Sequence, residues 1–209
     1  YGRAVFGRRE EGGLVTEYKS IFCGEKVILC PLERTNLRDY LSTYKVASPF
    51  SKVYGMMPDF WDMTSKNIQD YIVGEKHDRE RYLIAGFRSL QSYGYIELDF
   101  SDPALPGVDI AVLREHRRKG YAYEAARILL ENVLERESVM CVVWNAFSSN
   151  KASCRIAEKL GGTVVEGKNL MAETMREAGL KVESLDVVET LRTISYEIRK
   201  VIPCADAKG

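Results

Sequence analysis

The chain has 209 residues, 45% of them hydrophobic and 29% charged, which suits one domain with a real core, with or without extensions. Thirty Lys and Arg balance thirty Asp and Glu, so charge alone gives no reason to expect nucleic acid as a partner. No apolar run approaches the ~18 residues of a membrane span, and the first residues lack the apolar centre of a signal peptide.

Residues 1–20 read as a partly disordered N-terminal extension with no assigned element, 21–202 as a single domain and 203–209 as a tail. "KVILCPLE" (26–33) predicts a strand, and "TNLRDYLSTY" a helix capped by Thr35 or Asn36. "SPFSKVYGMMPDFWD" (48–62), rich in aromatics, Met and Pro, reads as an irregular connection. "TSKNIQDYIVGEK" follows as a helix capped by Thr64 or Ser65 and stopped by Gly74. The period then drops to two. "RYLIAGFRS" (81–89) and "SYGYIELDF" (92–100) predict neighbouring strands. The second sets Gly94, Ile96, Leu98 and Phe100 on one face and Tyr93, Tyr95, Glu97 and Asp99 on the other.

"VDIAVL" (108–113) is a further strand. After Gly120, Ala122, Ala125, Ala126, Leu129, Leu130, Val133 and Leu134 form one apolar stripe of a helix. "MCVVW" (140–144) is an unbroken apolar strand, and "SSNKASCRIAEKLGG" a short helix capped by Ser149 or Asn150 and stopped by Gly161 and Gly162. "TVVE" and "LRTISYEIRK" are late strands. Between them, 167–190 is an insertion with a helix expected near 169–176, a lid, a dimer contact or a plain surface segment. The order predicts an α/β (α+β) fold: a mixed, mostly antiparallel sheet with helices on both faces. The strand before Arg117 and "MCVVW" are then parallel neighbours joined by a right-handed crossover.

Cys23, Cys30, Cys141, Cys154 and Cys204 are odd in number, without a CxxC, and read as reduced thiols of a cytoplasmic protein. With only His77 and His116 beside them, no metal site is expected. The chemistry concentrates at "RRKG". Three cations, Arg117, Arg118 and Lys119, and then Gly120 stand before a helix, and residues 117–120 include no Ser, Thr, Asp or Asn to cap it. The first turn's N–H groups, the partial positive charge there and the cations together suit a phosphate ligand. A solvated basic turn is the plain alternative, and a DNA-backbone contact a weaker one in a neutral chain. Neither a P-loop nor a dinucleotide fingerprint is present.

"RRKGYA" (117–122) resembles the R/Q-x-x-G-x-G/A signature of the GNAT superfamily of N-acetyltransferases. "NKASCRIAEKLGG" (150–162) resembles that family's second segment. "KVILCPLERTNLRDYL" resembles the subgroup that includes acetyltransferases of ribosomal-protein N-termini. The resemblance covers roughly residues 26–200. It implies a splayed parallel strand pair, acetyl-CoA as co-substrate and an amine acceptor. Ile110, Ala111 and Val112 would pair with the pantetheine arm, Arg117, Arg118, Lys119, Gly120, Tyr121 and Ala122 would hold the pyrophosphate, and Asn150 would contact the cofactor.

Three positions depart from the family. Ala157 stands where a Tyr often protonates the thiolate, Asn145 where some relatives have Glu, and Gly162 where Phe is expected. Ser153 is then a candidate proton donor and Glu97 a candidate base acting through water, against local packing or capping and an exposed strand carboxylate. Asp109 is either functional or a charged residue at a strand end. Tyr95, Tyr54 and Trp61 are candidates for the acceptor pocket, against aromatics that merely cover the core. Two functions stay open: an N-acetyltransferase acting on a primary amine, of a small molecule or a peptide N-terminus, by direct attack, and a non-catalytic acyl-CoA-binding or sensing module.

Overall fold

The computed structural model describes residues 5–11, 14–20, 22–74, 78–165 and 193–200. They form two compact units. One takes the described residues of Tyr1–Asp102 and Val108–Leu130, the other those of Pro103–Gly107 and Glu131–Gly209. The 167–190 insertion, its expected helix, Cys204 and the 203–209 tail lie outside the described residues.

The first unit begins with β1 (Val5–Glu11) and β2 (Leu14–Ser20), an antiparallel pair running from Val5 opposite Ser20 to Glu11 opposite Leu14. The sequence reading had assigned no element there. The unit's sheet then runs in the order β3 (Phe22–Cys23), β4 (Val27–Pro31), β5 (Arg79–Gly86), β6 (Ser92–Asp99), β7 (Gly107–Val112). Neighbours from β3 to β6 are antiparallel. Gly94 of β6 lies so close to β7 that an added Cβ would stand 2.2 Å from the Ala111 carbonyl oxygen, which is why the strand carries glycine there.

Three helices precede β5: α1 (Leu37–Ala47), α2 (Ser51–Met56) and α3 (Pro58–Val73). The expected irregular connection 48–62 is therefore mostly helical. Pro58 opens α3, where a missing N–H costs nothing, and Asp59 favours the same first turn. Thr64 and Ser65 are not caps. Their hydroxyls donate back to the carbonyls of Phe60 (2.8 Å) and Asp62 (3.0 Å) from inside the helix. Gly74, left-handed at φ 82°, ends α3 as expected. Asn36 precedes α1 but does not cap it. Its amide instead closes the turn after β4, accepting from Glu33 N–H and donating to Pro31 O.

Ile28, Cys30, Leu32, Leu83, Ala85 and Tyr95 of the strand region pack with Tyr40 and Ala47 of α1 and Ile68 of α3. The alternate residues Val27, Leu29, Ile84, Ile96 and Leu98 are buried too, so the sheet is covered on both faces. The face of β6 that carries Tyr95 and Glu97 is thus interior. α4 (Tyr121–Val133) buries Ala125, Ala126, Leu129, Leu130 and Val133, the stripe the periodicity predicted. Each fully buried Leu contributes about 1.5–3 kcal/mol, which fixes the start of α4 in place.

The second unit holds β8 (Val142–Phe147), α5 (Lys151–Lys159), β9 (Thr163–Val165) and β10 (Thr193–Ile198), ordered β8-β10-β9 with both pairings antiparallel. β8 starts two residues later than "MCVVW" and runs on to Phe147. Gly161 (φ 82°) stops the α5 region. An added Cβ at Gly162 would lie 2.8 Å from Ala157 O, so this chain has no room for the family's Phe without a shift.

Candidate functional site

The loop from β7 to α4 lies entirely in the first unit. A 3-10 turn, Arg114–His116, leads to Arg117. Arg118 is left-handed at φ 62° and Gly120 at φ 84°, with Lys119 between them outside that region. Such alternation turns successive backbone N–H groups toward one side, an anion-binding concavity. The first backbone bond of α4 runs from Glu124 N–H to Gly120 O (3.0 Å). The N–H groups of Tyr121, Ala122 and Tyr123 therefore precede any intrahelical donor. The left-handed Arg118 has no signal in the sequence.

Arg117 has a second task. Its Nε–H donates to Val112 O at 2.9 Å and ties the loop to the end of β7. Leu113 N–H reaches Tyr93 O (2.8 Å). Tyr93 stacks on Tyr121 (4.5 Å, 16°) and on His116 (4.1 Å, 33°), so one β6 ring holds both ends of the loop. Burial lowers the pKa of His116, keeping that ring neutral near pH 7. Of the strand positions expected to serve the pantetheine arm, Ile110 and Ala111 are half-buried and Val112 is buried.

Sequence reasoning missed Lys26. Its N–H donates to Glu124 Oε1 (2.8 Å), and its Nζ stands 3.8 Å from where a Cβ of Gly120 would be. No local pattern links residues 94 positions apart.

Of the residues expected at the acceptor pocket, Tyr54 and Trp61 meet edge-on at 5.1 Å, and Tyr54 stacks on Phe60 at 5.5 Å. Lys45 Nζ lies 4.9 Å over the Trp61 ring. Tyr95 stacks on Tyr44 (4.3 Å) and donates its hydroxyl to Asp109 Oδ2 (3.1 Å). A cavity of about 270 Å³ is lined by Tyr44, Thr64, Asn67, Tyr71, Arg79 and Arg81 among others, but not by Tyr54, Trp61 or Tyr95. Tyr54 and Tyr95 are buried.

Glu97 is not the open strand carboxylate of the sequence reading. It is 1% exposed and accepts from the Tyr40 hydroxyl and from Arg81 on one oxygen, and from Arg79 (3.4 Å) on the other. Both of its oxygens are engaged by guanidinium groups or a phenol, and its burial closes it off from an incoming amine. Asp109, one residue before Ile110, presents a solvent-accessible carboxylate. Desolvation by the surrounding protein, followed by the like charge of Glu97, raises its pKa to about 6, against the Tyr95 hydrogen bond, Arg79 and Arg81. Solvent access softens the desolvation, and the repulsion from Glu97 acts in the same upward direction.

In the second unit, Asn150 caps α5, its Oδ1 accepting from Ser153 N–H (3.2 Å). Ser153 Oγ accepts from Trp144 Nε1 (2.9 Å), which leaves the hydroxyl proton to be donated elsewhere. Asn145 Oδ1 accepts from Ser195 (2.6 Å). Ala157 is fully buried. Cys154 is buried, with its thiol 3.8 Å from Phe147 O. No disulfide joins Cys23, Cys30, Cys141 or Cys154. Among the described residues, no helix is long and apolar enough to cross a membrane, and no cluster of three His, Cys, Asp or Glu could hold a metal ion.

Comparison with known proteins bears on the fold and the family. The model of the Acetyltransferase (GNAT) domain matches residues 26–163. No curated protein matches the sequence. Among solved structures, a GNAT-family acetyltransferase from Bacillus anthracis is 13% identical, with TM-score 0.56 over 84% of this chain and 95% of that one. RimL, a ribosomal L7/L12 alpha-N-protein acetyltransferase in complex with coenzyme A, is 12% identical, with TM-score 0.58 over 83% and 93%. SpeG, a spermidine/spermine N-acetyltransferase from Vibrio cholerae, is 14% identical, with TM-score 0.57 over 83% and 93%. At these identities the structures establish the fold, the mixed sheet with one parallel pair and helices expected from the sequence. The family match spans well over half of the chain, from the edge of β4 to the first residue of β9, and the chain belongs to the GNAT acetyltransferases.

Proposed function

We propose that the protein is an N-acetyltransferase that moves the acetyl group of acetyl-CoA to a primary amine, of a small molecule or a peptide N-terminus, by direct attack. The observation that carries this reading is the loop before α4. Left-handed Arg118 and Gly120 turn backbone N–H groups together in front of a helix start that no side chain of 117–120 can cap. A diphosphate satisfies these donors and the charges of Arg118 and Lys119 at once. Tyr121 and Ala122 supply the first helical N–H groups, and Arg117 braces the loop through Val112 O. Ile110 and Ala111 offer backbone to the amide-rich pantetheine arm. The thioester arrives already activated, so orientation of the amine supplies much of the rate.

The amine must reach the thioester neutral. In this reading Asp109 takes its proton, held by the Tyr95 hydroxyl at 3.1 Å, with Tyr54 and Trp61 on the acceptor side. The sign follows from the raised pKa of about 6. Below that pH Asp109 is protonated and the base is lost, so kcat/KM rises as pH climbs through about 6. Asp109→Asn should lower kcat by roughly 100-fold and remove that limb of the pH profile. Coenzyme A affinity measured by calorimetry should stay within about twofold.

A second reading, acyl-CoA binding without turnover, is favoured by the buried Ala157 and the Ser195-bound Asn145, which deny the second unit the family's usual acid and base positions. Two measurements decide. Titration with CoA must give binding heat below millimolar concentration, or both readings fall. Thiol release across a panel of polyamines, amino sugars and short peptides must then show steady turnover with at least one amine. Binding without turnover on any of them selects the second reading.

A further inference from the structure

The turn between β3 and β4 brings a fourth cation to the loop. Lys26 lies 94 residues before Gly120, yet its ammonium is the nearest group to the space that glycine leaves open. The position is pinned three ways. Lys26 N–H donates to Glu124 Oε1 at 2.8 Å, Lys26 O accepts from Phe87 N–H at 2.9 Å, and Gly24 N–H closes the turn on Val27 O at 2.8 Å. A Cβ at Gly24 would stand 2.0 Å from Glu124 Oε1 and displace that carboxylate from its bond to Lys26 N–H. The first turn of α4 and the β3–β4 turn are thus fitted to each other, with Lys26 Nζ as the result.

That placement runs against the local field. A helix start is the positive end of the helix, and a cation there is repelled. Arg118 and Lys119 add to the repulsion. Glu124 is the nearby carboxylate, and its Oε1 is engaged by the Lys26 backbone. Glu25 and Glu115 are its other acidic neighbours in sequence, and both are exposed. Cations gathered at a helix start by two separate chain segments make sense when an anion of more than one charge sits among them.

We propose that Lys26 is a ligand of the diphosphate of coenzyme A, completing the cradle of Arg118, Lys119 and the N–H groups at Gly120; this rests on the acetyl-CoA reading above. Its Nζ lies 3.8 Å from the place of a Gly120 Cβ, beside the glycine at the centre of the cradle, which points to the diphosphate and not the 3′-phosphate. The backbone of Lys26 is held from both sides, so only side-chain freedom is lost when the contact forms.

The test is calorimetric titration of wild type, Lys26→Ala, Lys26→Arg and Lys26→Glu with CoA and with dephospho-CoA, which lacks the 3′-phosphate. Lys26→Ala should weaken both ligands by the same factor, roughly tenfold. Lys26→Glu should weaken both further, and Lys26→Arg should recover most of the loss. Lys26 is exposed, so the melting temperature without ligand should barely move. Unchanged binding in Lys26→Ala overturns the inference while leaving the proposed function standing. So does a loss confined to CoA, which would move the contact to the 3′-phosphate. If wild type binds neither ligand, the acetyl-CoA reading itself fails and the assignment of Lys26 falls with it.

Discussion

Gly120→Asp should raise the CoA dissociation constant by about 100-fold or more while leaving the fold close to wild type. The backbone cost is modest. Aspartate tolerates the left-handed region better than most residues, and a side chain at φ 84° there costs on the order of 1–2 kcal/mol. Sterics do not add to it, since the nearest atom to the new Cβ is Lys26 Nζ at 3.8 Å, an ordinary contact. The carboxylate does the damage in two ways. At about 4–5 Å from a phosphate charge and an effective dielectric near 20 it opposes binding by about 3.3–4.2 kcal/mol, which is between two and three orders of magnitude. It also reaches the Lys26 ammonium and occupies the cradle from within, relieving part of the cation repulsion that CoA would otherwise relieve. Gly120→Ala separates the two effects. It carries the φ strain without the charge and should lose about tenfold or less. Equal losses in the two variants would mean that backbone shape, and not anion binding, is what Gly120 provides.

The loop was legible because its information is local. Cations, a glycine, the absence of a capping residue and an apolar stripe all lie within "RRKGYAYEAARILL", and each has one physical meaning at a helix start. Lys26 was invisible because its contact with Glu124 and Gly120 exists only once β4 and α4 pack. The segment 48–62 misled for a different reason. Its prolines and aromatics resemble turn chemistry, but Pro58 sits at the one helical position where proline is favoured, and Phe60 and Trp61 pack on Tyr54. Thr64 and Ser65 carry the side chains of caps and use them inside the helix. Glu97 shows the limit of period-two reasoning. Alternation told which residues share a face of β6, but only the arrival of α1, with Tyr40, shows that the face of Tyr95 and Glu97 is interior.

Glu97→Ala should destabilise the first unit by about 3–5 kcal/mol, the usual cost of removing one member of a buried charge cluster. Arg81 is 6% exposed, and its Nε has no partner among the described residues. Deleting Glu97 leaves that guanidinium in the interior with its main counter-charge gone, beside a Tyr40 hydroxyl that has lost its acceptor. Chemical unfolding followed by tryptophan fluorescence measures the loss. The double replacement Arg81→Met with Glu97→Met should recover most of it, because the penalty comes from the orphaned charge and not from missing volume. Glu97→Gln keeps the shape and tests the chemistry. Glu97 contributes to the raised pKa of Asp109 by like-charge repulsion, whereas Arg79 and Arg81 lower it. Removing the negative charge and leaving both arginines moves the Asp109 pKa downward, so the acid limb of kcat/KM should shift below about 6 with turnover retained. A Glu97 that itself took the amine's proton would give the opposite result, with turnover falling by roughly 100-fold and the limb abolished. The direction in which that limb moves therefore assigns the proton to one carboxylate or the other.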